Sequence, residues 1–141
     1  MKLMGLLMAF LLVGSTAQAA ESFLVVERAV SDTTVDLGKK GDSLGDLIVF
    51  ANPIYDAANR QQIGSNQGYC IRVIVGKSWE CFWTIELKEG QITSEGPFHD
   101  EGDALMAITG GAGRYAGAKG SLRLHPRDAK GTEYDFRYDL L

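Results

Sequence analysis

Clusters of basic residues are missing from this chain, and with them the means to bind nucleic acid. Lys and Arg total 14 against 18 Asp and Glu, a formal charge of −4, with no basic run. Phosphate contacts need clustered cations. Histidine is scarce. His99 and His125 form no HxH or HxxxH spacing, and the neighbouring acids Asp100, Glu101 and Asp103 read as a solvated acidic turn. No metal set is expected from them. A nucleophilic triad lacks a base, because nothing places either histidine near Cys70. Beyond residue 20 no apolar run reaches membrane length. No stretch there of about 12 residues or more carries an apolar stripe at helical spacing.

What is present begins with a leader. Lys2 precedes an apolar core, Leu3 to Val13, which is too short for a membrane span. Gly14-Ser15-Thr16 loosens it, and Ala17-Gln18-Ala19 fits a small-x-small cleavage site. The expectation is a signal peptide over 1–19 and one domain over 20–141, secreted or periplasmic. Loss of Lys2 takes the formal charge from −4 to −5. About 120 residues remain, enough for one core without disulfides.

Short alternating runs between turn signals predict an all-β domain. Phe23 to Val26, Leu44 to Phe50, Tyr69 to Val75, Trp79 to Leu87, Gln91 to Glu95, Ala104 to Thr109, Gly120 to His125 and Tyr134 to Leu140 read as strands. Gln61 to Gly68 reads as a short polar strand, Asn52-Pro53 as a turn, and Ser31 to Ser43 as a loop that could serve as a lid. The 17 glycines suit the bends of a small barrel or sandwich. Gly110-Gly111-Ala112-Gly113 lacks the following helix and the Lys-Ser/Thr pair of a phosphate loop, so it reads as hairpin glycines.

The pair 69–87 describes an interior. Cys70, Arg72 and Ile74 share one face; Trp79, Cys81, Trp83 and Ile85 share the facing one. If Val75 pairs with Ser78, Cys70 faces Trp83 and lies one diagonal step from Cys81, about 7–8 Å. That is too far for an unstrained disulfide. A register shifted by two would bring the cysteines opposite, and an export compartment permits the bond. Cys70 thus reads as a small buried hydrophobe or a cavity-lining group. Trp79, Phe82, Trp83 and Phe98 fill a core or line an apolar pocket.

SLGDLIVFANPIYD, then IGSNQGYCIRV, ITSEGPF and AITGGAGRYAGAKG, resemble in order the motifs of the allene oxide cyclases, and the last is shared with dirigent proteins. The resemblance spans roughly Ser43 to Leu124. It implies a single eight-stranded antiparallel β-barrel, often trimeric, with the ligand in the barrel mouth. In that family a fatty-acid epoxide closes to a ring, and steering does most of the work. Asn52 matches the asparagine that helps hold an ordered water for the substrate oxygen. Cys70 matches a cavity cysteine, and Phe98 stands where the family has a tyrosine. The family's first-strand glutamate has Glu27 as its candidate here, but Ala29 replaces the asparagine two residues on. Asp32-Thr33-Thr34 stands where the family has Ser-Pro. These departures argue against the family's own ring closure.

The resulting expectation is an exported barrel that binds a small apolar or phenolic molecule and steers its cyclisation, isomerisation or coupling. It would need no metal or organic cofactor. Glu27 and Asn52 are the candidate catalytic pair; Cys70, Arg72, Trp83 and Phe98 are the candidate ligand contacts. The chain is expected to form a dimer or trimer. A carrier without turnover and a solidly packed structural barrel are the competing readings, and a buried Glu27 with a raised pKa would favour the enzyme.

Overall fold

A computed structural model describes residues 20–141; the proposed leader, 1–19, lies outside them. Nine strands follow in chain order: β1 Glu21–Arg28, β2 Thr33–Val35, β3 Leu47–Tyr55, β4 Gln62–Ile74, β5 Ser78–Leu87, β6 Gly90–His99, β7 Ala104–Gly113, β8 Gly120–Pro126 and β9 Glu133–Leu140. Their order in the sheet is β1-β9-β8-β7-β6-β5-β4-β3-β2, every pairing antiparallel. Val26 and Glu27 also pair with Tyr55 and Ile54 of β3, which closes eight strands into a barrel and leaves β2 outside on β3. Closure removes exposed sheet edges.

Alternation then decides what lies inside. Odd positions of β1 and β5 and even positions of β3, β4, β6, β7, β8 and β9 point inward. One end is packed solid by Ile85, Ile92, Met106, Leu122, Tyr138 and Leu140. The tight turn after Gly113 folds Tyr115 back beside Phe23 at that end, with ring centroids 6.3 Å apart. At the other end, where β1 and β6 finish and β9 begins, the filling is incomplete.

Three details differ from the sequence reading. Asn52-Pro53 is not a turn but the middle of β3. Ala51 directs both amide and carbonyl to the Ser31 hydroxyl, away from β4. Pro53, two residues on, turns its nitrogen the same way, so its missing N–H costs the β3–β4 ladder nothing. The polar run from Gln61 is likewise not separate from the next strand; Gln62–Ile74 is one strand. Gly68 sits within it because a Cβ there would collide with the Phe82 carbonyl and Trp83 Cβ on β5.

The third is the cysteine register. Ile74, not Val75, pairs with Ser78, and a bulge between Arg72 and Ile74 takes up one more residue. The shift of two places Cys70 opposite Cys81, and they are joined as a disulfide with Cα atoms 4.0 Å apart. Arg72 exchanges backbone bonds with Gly45 and Asp46, so Cys70, two residues away, also turns its backbone groups from β5. The cysteines therefore occupy a narrow, non-hydrogen-bonded pair, where opposite side chains come closest. The expected loop 31–43 contains β2 and is tied down at both ends. Val30 and Ser31 amides donate to Asn52 Oδ1, and the Leu37 and Ser43 amides donate to the buried Asp46 carboxylate.

Candidate functional site

The unfilled end holds a cavity of about 250 Å³. Ile48, Phe50, Cys70, Trp83, Phe98 and Leu124 form its walls, Glu27 and Asn52 its floor, and Asp32, Lys130, Gly131 and Tyr134 its mouth. A dry cavity of about 150 Å³ takes one benzene ring. This one therefore has room for roughly two fused rings. Its aromatic walls are braced edge-on: Phe50 against Trp83 at 5.8 Å between centroids, and Phe98 against Tyr134 at 5.9 Å. Trp83 also stacks on Phe136 at 5.6 Å, which fixes the indole from behind.

Glu27 is the chemically distinctive group. It is 6 % exposed, and two amides hold it: Asn66 Nδ2 at 3.0 Å and Asn52 Nδ2 at 3.1 Å, both on Oε1. Removal from water disfavours the carboxylate and dominates; the two amides oppose it, and the Asp32 charge adds to it. The outcome is a pKa raised from 4.5 to about 7, where one group can both accept and return a proton. Tyr134 at the mouth is pushed up to about 12 by burial, helped by Asp32 and Glu27, so its hydroxyl stays protonated.

Asn52 is a brace as well as a wall. Nδ2 donates to Glu27 and, at 2.7 Å, to Asp32 Oδ1; Oδ1 accepts from the Val30 and Ser31 amides, each at 3.0 Å. These bonds occupy both polar atoms, so Asn52 orients the acids rather than reaching for a ligand. Phe98 and Trp83 lie in the cavity wall, and Cys70 lies there as half of the disulfide.

Arg72 is not brought to the cavity. Its guanidinium stacks over Trp79 at 3.8 Å and bonds Asp42 and Asp100, both at 2.7 Å. It shares a strand face with Cys70, but these acids hold it at the barrel rim. No three His, Cys, Asp or Glu among the described residues are grouped to hold a metal ion, and His125 makes only an exposed contact with Asp103.

Asn66 and Asp32 are the functional residues that sequence reasoning passed over. Asn66 is fully buried and stands directly across from Asn52. It shares the inward parity of Cys70, a signal that would have found it had β4 been read as one strand. Asp32 offered no signal beyond replacing the family's Ser-Pro.

The profile of the family described as "Allene oxide cyclase" matches residues 18–127. The chain belongs to the allene oxide cyclase family. Solved structures agree with this family's barrel. A protein titled "Pyocyanin demethylase" is 26% identical, with 82% of this chain and 98% of that chain covered and a TM-score of 0.70. A pterocarpan synthase dirigent protein is 14% identical over 89% of this chain and 96% of its own, at a TM-score of 0.72. An exo-specific intermolecular Diels-Alderase is 15% identical over 87% and 98%, at 0.67. These last two likenesses are of fold.

Proposed function

We propose that this family member binds a small apolar or aromatic molecule over Glu27 and steers its isomerisation, cyclisation or coupling, with Glu27 taking and returning a proton. The observation that carries this reading is a carboxyl with a pKa near 7, oriented by two amides at the floor of an aromatic-walled cavity. The cavity speaks against a solidly packed barrel. Its volume suits two rings better than an eighteen-carbon chain, and Ala29, Asp32 and Phe98 depart from the cyclase site, so the substrate is not the family's fatty-acid epoxide. The relatives titled as a demethylase of pyocyanin and as a pterocarpan synthase support an aromatic substrate.

The protein is exported by its leader to a secreted or periplasmic location, and the Cys70–Cys81 disulfide supports an oxidising compartment. It assembles as a dimer or trimer. Support comes from the outer face of β3 to β5, where Val49, Tyr69, Ile71 and Val73 are all more than a third exposed beside Phe82. The test is a panel of two-ring aromatic compounds followed by Trp83 fluorescence and product analysis. Glu27→Gln should bind members of the panel and lose their conversion. Equal conversion by Glu27→Gln would leave a carrier.

A further inference from the structure

The charges around the cavity are unevenly placed. One amide, Asn52 Nδ2, holds two carboxylates together, Glu27 on the floor at 3.1 Å and Asp32 at the mouth at 2.7 Å. Both amides that meet Glu27 bond Oε1, and no described donor reaches Oε2. A side chain more than nine-tenths buried therefore presents an unpartnered oxygen to the cavity. Four aromatic side chains, Phe50, Trp83, Phe98 and Tyr134, share the lining with these acids. Elsewhere the protein covers aromatic faces with its own cations, Arg28 over Tyr55 at 3.7 Å and Arg72 over Trp79 at 3.8 Å. Among the described residues no Arg or Lys stands over Phe50, Trp83, Phe98 or Tyr134. Lys130 is the one cation in the lining; it is exposed at the mouth and makes no ion pair among the described residues.

We propose that the cavity selects a planar aromatic cation, an N-alkylated or N-protonated heteroaromatic ring system, with Asp32 and Glu27 as the groups that read its charge. This rests on the reading of the cavity as the ligand site. Aromatic faces attract a cation through their quadrupole, and more strongly when water is excluded. The two carboxylates supply opposite charge from a fixed position, because Asn52 is itself pinned by the Val30 and Ser31 amides. Lys130 on its mobile stem can swing outward as the ligand enters.

The charge preference is linked to pH. Glu27 is faced by Asn52, Asn66, Asp32 and Tyr134, with Tyr138 behind it and Lys130 beyond the mouth. A bound cation favours its carboxylate, so below about pH 7 binding releases the Glu27 proton. Cation affinity then rises between roughly pH 6 and pH 8, while a neutral isostere gains nothing.

Calorimetric titration of the disulfide-bonded protein with N-methylquinolinium, quinoline and 2-naphthoate tests this. At pH 8 the cation should bind about tenfold more tightly than quinoline, with naphthoate weakest. That ratio should shrink at pH 6. Asp32→Asn should lower it, and Lys130→Glu, which leaves every bond to Asn52 in place, should raise it. Quinoline or naphthoate binding as tightly as the cation, with Lys130→Glu without effect, overturns the charge preference and leaves the site standing. Failure of all three probes overturns both readings.

Discussion

Glu27→Gln tests the buried acid through stability alone, without knowledge of the substrate. Folding raises the Glu27 pKa from 4.5 to about 7, so between these values the folded chain holds a proton that the unfolded chain has released. The stability difference therefore falls as pH rises through this window and is fully lost above about pH 7. At about 1.36 kcal/mol per pH unit, the rise corresponds to roughly 3 kcal/mol of destabilisation at pH 8. Glutamine keeps the Oε1 that accepts from Asn52 and Asn66, but carries no charge to desolvate. Urea denaturation at pH 5, where the unfolded chain has only begun to gain from ionising, should place the variant within about 1 kcal/mol of the parent. At pH 8 the variant should be the more stable by roughly 2–3 kcal/mol. Carboxylates held low, Asp128 by Thr132 and Asp139 by Ser22, titrate below their ordinary 3.8, outside this window. Parent and variant curves that run parallel from pH 5 to pH 8, or a variant less stable at pH 8, would refute a Glu27 that is costly to ionise.

Asn52→Ala removes the bonds that join Glu27, Asp32 and the strand-following amides of Val30 and Ser31; it should cost roughly 2–4 kcal/mol in denaturant and speed hydrogen exchange at both amides. Reduction of Cys70–Cys81, which are 11 residues apart, should lower stability by about 2–3 kcal/mol, read as a shifted urea midpoint with and without reductant. Gly68→Ala should destabilise by at least about 2 kcal/mol and broaden the Trp83 environment seen by near-ultraviolet dichroism, because β5 backbone occupies the place of the new methyl. Asn66→Ala should push the Glu27 pKa higher still, since it removes the amide that opposes burial most; measured in that background, the pH at which the stability gap to Glu27→Gln stops widening should move up with it.

Strand content, the inward faces of β4 and β5, and the family were legible in the sequence, because alternation is a local property and motif order survives in the chain. Glu27, Asn52, Trp83 and Phe98 were nameable for the same reasons. Asn66 was missed because Gly64 and Gly68 suggested breaks; only the neighbouring β5 shows that the glycines accommodate close approach instead. Pro53 misled in the same way, since a proline reads as a turn until the strand beside it is seen to need no donor from it. Parity alone puts Arg72 with the ligand contacts, and parity does not reveal that Asp42 and Asp100, from two other segments, hold it at the rim.

The sequence by itself determined an all-β chain and which side chains share a strand face, since both follow from spacing along one strand; the closed barrel came from the resemblance that the motif order carries, and the pairing of β1 with β3 completes it. Tertiary structure alone decided the register that joins Cys70 to Cys81, the end of the barrel left unfilled, and the burial that lifts the Glu27 pKa. Each of these depends on distances between residues far apart in the chain. A one-residue bulge, or an amide arriving from 25 or 39 positions away, changes them without altering any local pattern.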